Sequence, residues 1–92
     1  MIARKYLFGG RVQGVGFRYA TKQIATGFDV IGSVKNLTDG RVELILQGES
    51  GEVEAFIDEL AGNSPLSHHI LEQEEFKIAL LEGVKGFQIT TD

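Results

Sequence analysis

Apolar residues recur along this chain in two rhythms that alternate from one segment to the next. Val42, Leu44 and Leu46 fall on one face of an extended segment, with Glu43, Ile45 and Gln47 on the other. This predicts a strand over Arg41 to Gln47. Val30 to Leu37 predicts another, and Thr38-Asp39-Gly40 between them is a strong hairpin signal. A rhythm of three to four residues takes over elsewhere. Phe17, Ala20 and Ile24 share one face of a predicted helix from Phe17 to about Thr26. Phe28 continues the stripe beyond Gly27, which fits a helix stop. Val53, Phe56, Ile57, Leu60 and Ala61 mark a second helix running to about Leu60. Ser50 is its predicted N-cap, with Glu52 and Glu54 opposing the helix dipole in the first turn. Gly62-Asn63-Ser64-Pro65 ends it.

Lys5 to Val12 reads as an opening strand, weakened at its end by Gly9 and Gly10. A further strand lies within Ile70 to Leu81, poorly bounded by any signal, and Gly86 to Thr90 makes a short last one. The order is β-α-β-β-α-β with one extra terminal strand. Two helices and one sheet then bury a single core, which predicts an α+β, ferredoxin-like sandwich. Its sheet is expected to be mainly antiparallel, with four to five strands and both helices on one face. Residues 1–92 fit one domain, and the initiating Met1 and the finish at Asp92 favour a free-standing protein.

Charge changes the picture. The formal net charge of −4 is unevenly spread: residues 1–46 hold seven basic and three acidic side chains, residues 47–92 two basic and ten acidic. Arg11, Arg18, Lys22, Lys35 and Arg41 are expected to gather near the glycines that follow the first strand and focus a positive field there. The acidic total argues against a broad nucleic-acid surface. No apolar run reaches spanning length and no charged-then-apolar leader is present, so neither a membrane nor a secretory signal is expected. The absence of cysteine excludes a disulfide framework and thiolate chemistry, and suits a reducing cytoplasm.

The segment Gly10-Arg11-Val12-Gln13-Gly14-Val15-Gly16-Phe17-Arg18 joins the first strand to the first helix. Glycine permits positive φ, so Gly14 and Gly16 let successive backbone N–H groups turn toward one point. The helix N-terminus adds unpaired donors and partial positive charge. Arg18 adds a planar fork suited to phosphate oxygens. Together they predict an anion cradle, most simply for a phosphoryl group. The glycine spacing is not that of a dinucleotide fold, and no Lys-Ser or Lys-Thr pair completes a Walker loop.

A second group lies on the central hairpin, Gly32-Ser33-Val34-Lys35-Asn36-Leu37-Thr38-Asp39-Gly40-Arg41-Val42-Glu43. Asn36 stands near a strand end, where an asparagine commonly turns the backbone. Its carboxamide could instead orient a water, since it offers donors and an acceptor and never ionises.

These two segments, in this order and at this separation, resemble the signature motifs of the acylphosphatase family, and the resemblance covers the full chain. It implies metal-free, cofactor-free hydrolysis of a carboxyl–phosphate anhydride. By the same resemblance, backbone N–H groups from Gln13, Gly14, Val15, Gly16 and Phe17 would hold the phosphate. Arg18 would clamp it and Asn36 would position the attacking water. A small acyl phosphate is the implied partner and a monomer the implied state. Two departures stand out. Ser33 replaces an aromatic or threonine, and Pro65-Leu66-Ser67-His68-His69-Ile70 replaces a Pro-x-x-x-Val-acidic pattern, which bears on the rim of the site and the edge-strand register.

Other readings are weaker. His68 and His69, if adjacent on a strand, point to opposite faces and cannot share one ion. Glu72, Glu74 and Glu75 read as a solvated edge that discourages pairing with another chain. Gly16-Phe17-Arg18-Tyr19 resembles an RNA-binding aromatic segment, but it enters a helix, whereas that motif lies on a third strand. A non-catalytic phosphate-binding or regulatory module of the same fold is the remaining alternative.

Overall fold

The computed structural model describes residues 1–90. Strand β1 spans Ile2–Gly10, helix α1 Phe17–Ala25, and strands β2 and β3 Val30–Asn36 and Val42–Gly48. Helix α2 covers Ser50–Ile57 and continues into a π-helical turn, Asp58–Asn63, and a 3-10 turn, Pro65–His69. Strands β4 (Ile70–Lys77) and β5 (Phe87–Ile89) complete one five-stranded sheet in the order β4-β1-β3-β2-β5. All pairings are antiparallel except β2 with β5. The ferredoxin-like order and the mixed but mainly antiparallel sheet match the expectation from sequence.

Alternation decides which face is covered. Val42, Leu44 and Leu46 on β3 are fully buried, flanked by Tyr6 and Phe8 on β1 and by Val30 and Val34 on β2. Leu44 stands directly between Tyr6 and Val34. Phe17, Thr21 and Ala25 from α1, with Val53 and Phe56 from α2 and Leu60 beyond it, close the core. Truncating a residue such as Leu44 would cost about 2–5 kcal/mol, through lost transfer energy and the cavity left behind.

Several boundaries differ from the sequence reading, each for a local reason. Strand β1 starts earlier than Lys5 and stops at Gly10, short of Val12, because its pairing with β4 shifts register between Gly9 and Gly10. Gly10 takes φ +118°, and a Cβ there would lie 2.5 Å from the His69 carbonyl oxygen, so no larger residue fits. Val12 leaves the strand but remains buried.

The N-cap of α2 is Glu49 instead of Ser50, and its side chain makes no capping bond. Glu52 does more than oppose the dipole, since its Oε1 accepts the Asp29 N–H at 2.7 Å and so ties α2 to the turn before β2. The Ser64 N–H reaches the Glu59 carbonyl at 2.7 Å, which ends the helix in its wider final turn.

His68 and His69 finish the 3-10 turn and are not on a strand, so the alternation argument does not describe them. Beyond them, every residue of β4 from Leu71 to Lys77 is exposed, Glu72, Glu74 and Glu75 included. Among the described residues, no helix is long and apolar enough to cross a membrane.

Candidate active site

The site is built where β1 hands over to α1. Gly14 and Gly16 have φ of +79° and +77°, dihedrals that a Cβ disfavours. A Cβ at either position would meet nothing within 4 Å. The backbone turn therefore asks for glycine, and the space in front of the loop is open.

Gly16 is the N-cap of α1 and supplies no side-chain cap. Its carbonyl accepts the Ala20 N–H at 3.0 Å, so the helix is established from its first turn. The N–H groups of Phe17, Arg18 and Tyr19 precede the first intrahelical donor and face outward from the helix end. The loop rests on a firm floor. Phe17 packs its ring 5.6 Å from that of Phe8, Val12 is buried beside it, and Thr21 Oγ1 donates to the Phe17 carbonyl at 2.7 Å.

A cavity of about 230 Å³ opens at this junction, lined by Val12, Gly14, Gly16, Phe17, Arg18, Tyr19 and Asn36. Arg18 is half-buried, and among the described residues it joins none of the ion pairs. Its guanidinium is thus uncommitted. Asn36, the last residue of β2, stands opposite Val42 and shares the core-side face with Val34. Its Oδ1 is buried, and among the described residues it is the one buried side-chain polar atom with no hydrogen-bond partner. A buried acceptor without a donor is costly unless a ligand or water supplies one.

The two sequence motifs therefore meet across one cavity. Gly14, Gly16, Phe17, Arg18 and Asn36 line it, whereas Val15 and Gln13 do not. Gln13 has a role that spacing alone did not signal. Its Nε2 donates to the Leu37 carbonyl at 2.8 Å and to the Arg41 carbonyl at 2.9 Å. These bonds fasten the glycine loop to the hairpin that carries Asn36. A two-donor amide within the loop was visible in the sequence, but its acceptors, far along the chain, were not.

The electrostatics differ from expectation as well. Lys35 lies 4.0 Å from Glu43, and Arg41 reaches Asp39 at 2.8 Å and Glu74 at 3.6 Å. Two of the five basic groups expected to focus a positive field are thus offset by carboxylates. Arg11, Arg18 and Lys22 form no ion pair among the described residues. The Arg41 backbone N–H, and then its guanidinium, hold the Asp39 carboxyl below the ordinary carboxylate range. Among the described residues, no group of three or more His, Cys, Asp or Glu side chains converges on one point.

Comparison with known proteins gives the same answer over almost the whole chain. The acylphosphatase family model matches residues 4–89. An acylphosphatase of Lacticaseibacillus paracasei is 37% identical over 90 residues, covering 97% of this chain and 96% of its own. One from Pseudomonas aeruginosa is 41% identical over 81 residues, covering 88% and 87%. The crystal structure of acylphosphatase from Bacillus subtilis superposes with a TM-score of 0.86 at 34% identity, covering 98% of this chain and 99% of that one. With an uncommitted arginine, a glycine loop at a helix start and a strand-end asparagine meeting in a fold shared from end to end, this chain belongs to the acylphosphatase family, the enzymes that hydrolyse acyl phosphates.

Proposed function

We propose that the two sides of the cavity divide the hydrolysis of a carboxyl–phosphate anhydride between them. The glycine loop and the first turn of α1 hold the phosphoryl oxygens through backbone N–H groups. Arg18 adds two charge-assisted hydrogen bonds. Asn36 holds the attacking water, whose O–H donates to Oδ1.

The water oxygen attacks phosphorus in line while the phosphorus–oxygen bond to the acyl group breaks. The bonding electrons leave with the carboxylate, and a water proton passes to a phosphate oxygen. A carboxylate is a good leaving group, so positioning and stabilisation of charge on the phosphoryl oxygens supply most of the rate. Donors enough for that stabilisation come from the chain itself, which makes metal and cofactor unnecessary. The same chemistry needs no covalent phosphoenzyme.

The observation that carries this reading is the buried, partnerless Oδ1 of Asn36 in the same cavity as Arg18 and the glycine loop. An acceptor placed there is suited to a donor that arrives with the reactants. We further take residues 1–92 as one domain, a cytoplasmic monomer acting on small acyl phosphates with no nucleic-acid or membrane partner. The acidic balance speaks against a nucleic-acid partner, and the lack of cysteine suits the cytoplasm.

The test is hydrolysis of benzoyl phosphate by the purified protein in excess chelator, beside Arg18→Ala and Asn36→Ala. Chelator-resistant turnover that both folded variants lose is expected. A folded parent with no turnover would leave the cavity as a phosphate-binding module. Full activity in Asn36→Ala would refute the water-holding role.

A further inference from the structure

One side chain at the rim of the cavity is left unused by phosphate chemistry. Of its lining residues, Val12 and Phe17 form the floor and are 1% and 2% exposed. Gly14 and Gly16 contribute backbone alone. Arg18 and Asn36 are engaged by phosphate and water under the reading above. Tyr19 lends its backbone N–H to the first turn, which substitution leaves in place, but its side chain remains, and the residue is 78% exposed. Among the described residues its ring joins no aromatic pair and its hydroxyl makes no hydrogen bond. It sits on α1 away from the buried stripe of Phe17, Thr21 and Ala25. The fold therefore neither packs this ring nor draws stability from it.

An acyl phosphate presents two halves. The phosphoryl half is the same in every substrate and is met by the loop and Arg18. Selection among substrates must come from contacts with the acyl half. Tyrosine offers a wide, stiff apolar face with few rotatable bonds, so placing it against a flat group loses little entropy.

We propose that Tyr19 is a specificity-determining residue whose ring forms a platform for the acyl group, favouring aromatic and other planar acyl phosphates over acetyl phosphate. This rests on acyl-phosphate hydrolysis occurring in this cavity. Ring-on-ring contact is made equally with bound substrate and with the transition state. Its loss therefore appears in KM more than in kcat.

The experiment is steady-state kinetics of wild type, Tyr19→Ala and Tyr19→Phe with benzoyl phosphate and acetyl phosphate, alongside inhibition by inorganic phosphate. In Tyr19→Ala, KM for benzoyl phosphate is expected to rise about threefold to tenfold, the scale of one aromatic contact. KM for acetyl phosphate, both kcat values and phosphate inhibition should stay near wild type. Tyr19→Phe should restore the low KM for benzoyl phosphate, because the ring and not the hydroxyl is at work. Equal changes for both substrates would mean a disturbed helix start and overturn the proposal. So would an unchanged preference in Tyr19→Ala. Wild type that hydrolysed neither substrate would instead refute the underlying assignment of activity.

Discussion

The glycine loop and the end of β2 face each other across one cavity, yet they are built by opposite means. On the loop side the working groups, Arg18 apart, belong to the main chain. Gly14 and Gly16 matter for their positive φ and for the open space in front of them. On the hairpin side the backbone is regular, paired from Val30↔Gly48 to Asn36↔Val42, and one side-chain amide projects from it. The loop gains its chemistry by leaving regular structure, and the hairpin by ending it at a chosen residue. A third element, Gln13, bonds the irregular side to the regular one. The lesson is that the loop side tolerates few residue types, because its constraint is dihedral, while the hairpin side depends on a single functional group.

Removing the one charged contribution to the loop side should have the largest effect. Arg18→Ala is expected to lower kcat/KM on the order of 10³-fold, the upper range for losing a preorganised donor. Inorganic phosphate should also inhibit it more weakly, as competition assays would show. Next comes the hairpin side. Asn36→Ala should reduce kcat about 10²-fold through loss of nucleophile orientation, with phosphate inhibition nearly intact. Should both variants lose phosphate affinity alike, the division of labour between the two sides is wrong.

Cutting the link tests whether the two sides need each other. Gln13→Ala leaves every lining residue in place, yet kcat should fall about tenfold if alignment degrades by a fraction of the 1 Å that costs 10²-fold. Gln13→Glu should recover activity as the solution is acidified, because a protonated carboxyl regains one donor toward the Leu37 or Arg41 carbonyl.

Gly16→Ala examines the dihedral constraint directly. An alanine held at φ near +77° costs about 1–2 kcal/mol, a fall in Tm of several degrees for a domain of this size. Calorimetry beside a phosphate-inhibition assay would register both consequences.

The smallest effect belongs to the hairpin tip. Asp39 has a carboxyl whose folded pKa is lowered by the Arg41 N–H and guanidinium. Its contribution to stability is present above the ordinary carboxylate range and is lost as pH falls through the lowered value. Asp39→Asn should therefore differ slightly from wild type at neutral pH and converge with it well below about pH 4. Urea titrations at several pH values would reveal the convergence.

Much of this site was legible in the sequence because glycine and arginine announce backbone geometry and anion chemistry by their identity alone. Asn36 could be placed near a strand end from the Thr38-Asp39-Gly40 turn after it, and its catalytic reading came mostly from family resemblance. The partners of Gln13, Lys35 and Arg41 were not legible, since hydrogen bonds and ion pairs depend on which strands become neighbours. Arg41, for instance, meets Glu74 only because β4 folds back beside β1. Strand β4 itself gave weak boundaries for a physical reason. Leu71 to Lys77 are exposed on both faces, so no burial pressure imposes alternation there. The cap of α2 was misplaced by one residue because Ser50 has the favoured chemistry, whereas Glu49 is the last extended residue and Ser50 is already helical.

The strand order has a consequence for scale. Phe8, Val42 and Asn36 form one row across β1, β3 and β2. The loop hangs from the β1 end of that row and Asn36 ends the β2 side, with β3 between them. Adjacent strands sit about 4.8 Å apart, so Phe8 and Asn36 are held two such intervals apart, roughly 10 Å. The middle strand acts as a ruler whose divisions are hydrogen-bond repeats. Substitution can change what lines the site, but the spacing of the strands that carry it comes in whole intervals.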